Sequence, residues 1–433
     1  MNRPTRRVSL LQVAFCSGVV AATAAVTVFS ADRSVRAALQ DSPKSVLDEA
    51  WQIVNREYVD GTFNKNDWNS VRQTLLSKNY TSRQQAYVAL RDALKKLDDP
   101  YTRFMDPKQF ESLSSQTSGE LSGVGIRLEQ DEKTKALTIV EPLENSPAIR
   151  AGIKSGDRIL AINGKPTKGM TVEDASNLIR GEVGTKVTLQ IARDGAANFN
   201  LPLTRARIEL QTVRASVRQE GKNRIGYIRL AEFSSHASEQ MERAIKSLSD
   251  QKVDAFVLDL RGNPGGLLQA SIDISRMWLD KGSIVKTVNR QGVGDTTYAN
   301  GRPLTKLPLA VIVDGRSASS SEILTGALKD NKRATIVGSQ TFGKALVQSV
   351  HSLSDGSGIA VTIAHYYTPN GTDISHKGVT PDIKVDLSDA QQKFLATNPK
   401  LIGTPQDPQY AGALNTLQRN ALAKPGAQQA AQR

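Results

Sequence analysis

Val253-Asp254-Ala255-Phe256-Val257-Leu258-Asp259-Leu260 runs without a break into Arg261-Gly262-Asn263-Pro264-Gly265-Gly266. The first eight residues read as a strand, the next six as a tight turn, and Leu267 to Leu279 as a helix. The same alternation surrounds them. Ile225 to Leu230 reads as a strand and Ala237 to Leu248 as a helix. Leu309-Ala310-Val311-Ile312-Val313 is apolar throughout, the mark of a strand buried on both faces. Strand following helix following strand predicts an α/β core, a mixed sheet with flanking helices, over residues 207–388.

Just beyond that last strand, Val313-Asp314-Gly315 leads into Ser317-Ala318-Ser319-Ser320-Ser321-Glu322-Ile323. Ser321 to Lys329 reads as a helix with Leu324 and Leu328 on one face. The serine cluster therefore sits at a strand-to-helix turn. Thr341-Phe342-Gly343-Lys344 and Gln348 follow a short way downstream. A hydroxyl and an amine suffice for hydrolysis if the fold joins them and keeps the amine neutral. Taken singly, a serine run is a polar loop or helix cap and a lone lysine is a solvated charge. An exposed lysine titrates near pH ~10.4, and burial lowers that by up to ~3–5 units. Phe342, Ala345, Leu346 and Val347 are available as an apolar wall. If 344–350 is a strand, Gln348 shares a face with Lys344 and can hold its amine.

Two further regions precede the core. Residues 43–115 read as an N-terminal helical subdomain: Val46, Leu47, Ala50, Trp51, Ile53 and Val54 recur at helical spacing, and Asp99-Pro100-Tyr101 breaks a second apolar face. Residues 118–206 read as a small β-rich domain. It has a strand at Leu137 to Val140, another at Arg158 to Ile162, a helix at Val172 to Ile179 and a strand at Lys186 to Ile191. The tail, 389–433, is rich in Gln, Ala, Asn and Pro and is expected to be loosely attached or partly disordered.

The β-rich domain resembles a PDZ domain. Leu121-Ser122-Gly123-Val124-Gly125-Ile126 stands where that family has its carboxylate-binding loop, and Gly156-Asp157-Arg158-Ile159-Leu160-Ala161-Ile162-Asn163-Gly164 is similar to its most recognisable run. Leu121, Gly123, Val124, Gly125 and Ile126 are the candidate peptide-binding residues; backbone N–H groups there can hold a terminal carboxylate, and a strand edge can pair with an extended peptide. With the serine and lysine runs added, residues 43–386 resemble the carboxyl-terminal-processing proteases, serine proteases with a PDZ domain and a serine-lysine dyad. The branch from cyanobacteria and chloroplasts is the most similar.

The resemblance implies roles residue by residue. Counting back from Glu322-Ile323, it makes Ser319 the nucleophile, 25 residues before Lys344, the general base. Ser320 stands where the family has alanine. Ser319 would lie at a helix N-terminus, where free N–H groups stabilise an oxyanion. The Ser320 N–H is one expected oxyanion donor and the Gly265 N–H the other, with Gly266 the near alternative. Gln348 joins the catalytic group. Asp330 matches an aspartate sometimes counted with it. Eleven residues of helix separate Asp330 from Ser319, roughly 16 Å, so it is expected to act indirectly, through an ion pair with Lys332 or Arg333. The four histidines, His236, His351, His365 and His376, lack acid partners by spacing.

Arg3, Arg6 and Arg7 precede an almost wholly apolar stretch, Leu10 to Phe29, closed by Ser30-Ala31. Residues 1–31 are therefore expected to be a secretory signal or a membrane anchor, with export to a periplasm or thylakoid lumen and a possible membrane-surface association. The formal charge is +13; losing three arginines with the leader leaves +10. No zinc, helix-turn-helix or aromatic-basic pattern accompanies that charge, so no nucleic-acid partner is expected. Cys16, the one cysteine, lies in the leader, which excludes a thiol nucleophile in the mature chain. No metal and no cofactor is expected. The leading function is an exported endopeptidase cutting near the C-terminus of proteins bound by their terminal residues. The photosystem II reaction-centre precursor is the substrate implied by the photosynthetic branch. The rival readings are a non-catalytic PDZ-type peptide-binding scaffold and an acyl-transfer enzyme on a related core. The oligomeric state is not encoded in any motif.

Overall fold

The computed structural model describes residues 42–131 and 134–419. The expected leader, Cys16 and the last part of the tail lie outside the described residues. Among the described residues no helix is long and apolar enough to cross a membrane.

The strand read first, Ala255–Asp259, is central and fully buried. It belongs to a six-stranded sheet ordered Val213–Glu220, Asn223–Leu230, Ala255–Asp259, Leu309–Val313, Thr335–Gly338 and Ile383–Lys384. The first pair is antiparallel and the others are parallel. Successive side chains of a strand point to opposite faces. Accordingly Phe256, Leu258, Val311 and Val313 face one core, shared with the helices Ala237–Asp250, Leu268–Trp278 and Ser320–Asp330. Ala255, Val257, Ala310 and Ile312 face the other.

That second face is covered by the helix Pro408–Leu417, through Tyr410, Ala413, Leu414 and Leu417. The expectation of a loosely attached tail fails here, because an all-apolar strand needs both faces covered. A buried ion-pair network reinforces the cover. Arg261 donates to both oxygens of Asp259 and both of Asp407, at 2.6–3.0 Å, and the Tyr227 hydroxyl donates to Asp259 at 2.6 Å. Burial pushes the Asp259 carboxyl up, but Arg261, Arg229 and Tyr227 outweigh it and hold the carboxyl below its ordinary range.

A second sheet begins just after the lysine run, which itself lies in a loop, so the strand starts at Leu346 and not at Lys344. Leu346–Ser352 pairs with Gly358–Tyr367, which also pairs with Arg103–Met105 and Ser283–Asn289. The N-terminal helices Pro43–Glu57, Trp68–Ser77 and Arg83–Lys95 pack on it. Their core includes Leu353, Ile359 and Val361, so this region shares one core with the protease sheet.

The β-rich domain holds five principal strands, including Phe199–Thr204, which the sequence reading missed. Its two connections to the rest of the chain, Glu120–Gly123 and Ala206–Glu209, pair as an antiparallel ribbon.

Candidate active site

Ser319 is the residue immediately before the helix Ser320–Asp330, with φ 54° and ψ −115°. A non-glycine residue there carries about 1–3 kcal/mol of strain and persists only when its surroundings over-determine it. Here they do. Glu322 Oε2 accepts the Ser319 N–H at 2.9 Å, and Ser319 O accepts from the N–H of Glu322 at 2.7 Å and of Ile323 at 3.0 Å. The turn aims one serine outward. Ser317, Ser320 and Ser321 are buried, and their hydroxyls donate to Leu260 O, Gly266 O and Asn263 O, each at 2.9 Å. Ser319 alone of the four is partly exposed.

The lysine loop is tied to that turn by the same carboxylate. Fully buried Glu322 accepts from Thr341 Oγ1 and Gly343 N at 2.6 Å through Oε1, and from Lys344 N at 2.9 Å through Oε2. Phe342 N donates to Ser317 O at 3.1 Å. The buried Tyr366 hydroxyl hydrogen-bonds to Lys344 O and lies 3.1 Å from Ser319 O. Ser319 and Lys344 are therefore held as a unit through their backbones. The Lys344 side chain is half-buried, and its Nζ lies 4.5 Å from the centroid of the Tyr101 ring. No hydrogen bond joins Nζ to Ser319 Oγ among the described residues. Burial, with help from the Arg103 charge, lowers the Lys344 pKa below the ordinary lysine value, against the pull of Asp99 and Glu322.

Gly265 lies against Ser319: a methyl group on it would meet Ala318 O at 2.7 Å, Ser319 Cβ at 2.9 Å and Ser320 N at 3.0 Å. Its role as a donor needs correction. The Gly265 N–H already donates to Asn263 Oδ1 at 2.9 Å, because that side chain caps the tight turn. The N–H groups of Ser320 and Gly266 carry no hydrogen bond among the described residues. Gly266 is the alternative, and its N–H is not taken up in this way.

Two other expectations change. Gln348 donates to Thr362 Oγ1 at 3.4 Å rather than to Lys344; the strand pairing that continues the lysine run puts it opposite Thr362. Asp330 makes no ion pair with Lys332 or Arg333. It accepts the Asn370 N–H at 3.0 Å, while Arg333 donates to the carbonyls of Trp278, Thr305 and Leu307.

Two histidines do have carboxylate partners, from parts of the chain that spacing could not connect: His236 with Glu120 at 3.0 Å and His351 with Glu57 at 2.7 Å. His351 also touches Ser349 Oγ at 3.0 Å. Both of its contacts use Nε2, whereas a relay needs the serine and the acid on opposite ring nitrogens.

Leu121, Gly123, Val124, Gly125 and Ile126 line one groove, closed by Ile179 and Arg180. Gly125 has φ +79°, and a Cβ there would meet Ser146 Cβ at 2.2 Å, so only glycine fits the loop.

Comparison with known proteins identifies the family and its two domain types. Residues 224–385 match the profile of peptidase family S41, and residues 138–193 match that of the PDZ domain. The chain is 43% identical over 376 residues to the carboxyl-terminal-processing protease of Synechocystis sp., covering 86% of each. It is 41% identical over 379 residues to the chloroplastic carboxyl-terminal-processing peptidase 2 of Arabidopsis thaliana, covering 85% of this chain and 72% of that one. A solved S41-type chain from Bacteroides fragilis shares the fold, with TM-score 0.52 and 16% identity, covering 85% of this chain and 96% of that one.

Proposed function

Because the chain belongs to the carboxyl-terminal-processing proteases of peptidase family S41 and is a serine-type peptidase, we propose that Ser319 and Lys344 are its catalytic dyad. The observation that carries this reading is the Glu322 carboxylate, which holds the backbones of both residues while leaving Ser319, alone of four serines, partly exposed.

In this reading Lys344, as the neutral amine, takes the proton from Ser319 Oγ as the oxygen bonds to the scissile carbonyl carbon. The developing oxyanion is held by the N–H groups of Ser320 and Gly266 at the positive end of the helix Ser320–Asp330. The C–N bond then breaks, and the Lys344 ammonium delivers its proton to the leaving amine. Water attacks the Ser319 ester with Lys344 again as base, which releases the new C-terminus. The step asks Lys344 Nζ to come within hydrogen-bond reach of Ser319 Oγ.

The substrate is a protein engaged by its C-terminal residues in the groove at Leu121 to Ile126, whose apolar lining and glycine loop suit a terminal carboxylate and an apolar side chain. Export by the basic-apolar leader places the enzyme in a periplasm or thylakoid lumen. There the C-terminal extension of the photosystem II reaction-centre precursor is the proposed target, supported by the similarity to cyanobacterial and chloroplastic processing enzymes.

The test is cleavage of a peptide carrying that extension with a free C-terminus, by wild type, Ser319→Ala and Lys344→Ala. Cleavage by wild type alone is expected. Cleavage that survives Lys344→Ala removes the proposed base. Binding of the peptide without cleavage in all three favours a peptide-binding scaffold.

A further inference from the structure

Lys344 has a neighbour that neither the serine run nor the lysine run contains. The Tyr101 ring, from the turn between the helix Arg83–Lys95 and the strand Arg103–Met105, lies under its Nζ at 4.5 Å. The placement is built into the fold. Asp99 accepts the Tyr101 N–H at 2.9 Å and the Thr102 hydroxyl at 2.7 Å. Thr102 Oγ1 in turn accepts the Thr362 N–H at 3.0 Å, and Arg103–Met105 pairs with residues 358–360. Tyr366, on that same strand, holds the Lys344 carbonyl. The turn that carries Tyr101 and the loop that carries Lys344 are thus locked to one strand, Gly358–Tyr367.

We propose that Tyr101 is a positioning residue for Lys344, its ring face serving as the seat of the ammonium that forms when Lys344 takes the Ser319 proton. This rests on the reading of Lys344 as the base. The ring quadrupole attracts a cation and is nearly indifferent to a neutral amine. It therefore favours the state after proton transfer over the state before, which is the condition for lowering a barrier. The ring also shares in setting the proton affinity. Burial and Arg103 favour the amine, while Asp99 in the same turn and Glu322 on the nucleophile helix favour the ammonium, as a ring face beneath a cation does. The Tyr366 hydroxyl touches Lys344 at its carbonyl and lies 3.1 Å from Ser319 O. The N-terminal segment, read from sequence as a helical subdomain, thereby completes the active site.

The experiment is a pH profile of kcat and kcat/KM for full-length wild type, Tyr101→Phe, Tyr101→Leu and Lys344→Ala. Removing the ring makes the ammonium less stable. In Tyr101→Leu the acid limb of kcat/KM is expected to move to lower pH by about half a unit to one unit, and the plateau kcat to fall about 3- to 10-fold. Tyr101→Phe keeps the ring face and is expected to keep the wild-type limb. An unmoved limb in Tyr101→Leu overturns the proposal, and so does a Phe variant as impaired as the Leu one. If Tyr101→Leu does not fold, a series of increasingly fluorinated phenylalanines at 101 keeps the shape while weakening the ring face. A limb that drifts stepwise to lower pH supports the proposal, and a flat series overturns it. Lys344→Ala separates the two levels. Activity in that variant sinks the base assignment and this inference together, whereas silence there with an unmoved Tyr101→Leu limb sinks this inference alone.

Discussion

Glu322 accepts the backbone N–H of Lys344 at 2.9 Å through its Oε2 atom. The same oxygen accepts the Ser319 N–H at 2.9 Å, so the proposed nucleophile and base hang from one carboxylate. Four donors surround that group, and none of its contacts asks it to donate. Burial raises its proton affinity above the ordinary glutamate value, and the hydrogen bonds from Thr341, Lys344, Gly343 and Ser319 offset only part of that rise.

Glu322→Gln keeps the volume but turns an NH2 group toward N–H donors. At least one buried donor is left unpaired, a cost of about 1–3 kcal/mol. The expected result is a drop in kcat of about 10²-fold or more with substrate affinity little changed, because the groove lies elsewhere. Steady-state kinetics beside a urea melt would check it; wild-type kcat in a folded Glu322→Gln protein would refute the clamp.

Lys344 must be neutral to act as a base, so kcat/KM should fall as pH drops through its pKa. Burial and Arg103 hold that pKa down. The acid limb is therefore expected below the ordinary lysine value of ~10.4. Arg103→Met removes a repelling cation, raises the pKa and should move the limb toward higher pH. A limb that moves the other way, or not at all, would deny Arg103 that part.

Ser320 occupies a place where its hydroxyl is buried and donates to Gly266 O. Ser320→Ala loses one hydrogen bond, about 0.5–1.5 kcal/mol, but keeps the N–H proposed for the oxyanion. Activity is expected to stay within about 10-fold of wild type, and the double variant Ser319→Ala, Ser320→Ala should be no more inactive than Ser319→Ala alone. Residual cleavage in the single Ser319→Ala variant that vanishes in the double would mean that Ser320 substitutes as nucleophile.

Arg261 joins the strand end at Asp259 to Asp407 at the start of the last helix. Asp407→Ala leaves part of a buried guanidinium unpaired and should cost about 3–5 kcal/mol of stability, read from urea unfolding. The pH dependence follows in sign. Asp259 has a depressed pKa in the folded chain, so its contribution is present above the unfolded value of ~3.9 and is lost as pH falls through the lower folded value. Unfolding at pH 7 and pH 3 should therefore differ more in wild type than in an Asp259→Asn variant.

Most of the core was readable in advance because its signals are local. An apolar run such as Leu309–Val313 can satisfy its side chains only inside a covered sheet. The turn at Gly265-Gly266 needs positive φ, and both residues have it. The strands that escaped notice, Ser283–Asn289 and Gly358–Tyr367 among them, alternate less cleanly and draw their partners from remote segments. Residues 389–433 looked loose because their composition is polar and small. Yet Tyr410, Ala413, Leu414 and Leu417 fall on one helical face that closes the back of the sheet.

By itself the sequence determined which residues can do chemistry: a serine at a strand-to-helix turn, a lysine in an apolar run and a glycine loop suited to a carboxylate. Each depends on residue type and short spacing, which a linear chain displays. The tertiary structure decided what those residues meet. It spent the Gly265 N–H on Asn263, turned Gln348 to Thr362, set Asp330 against Asn370 and slid Tyr101 beneath Lys344. These are contacts of side chains and backbone brought together by folding, and their geometry exists only once the sheets have assembled.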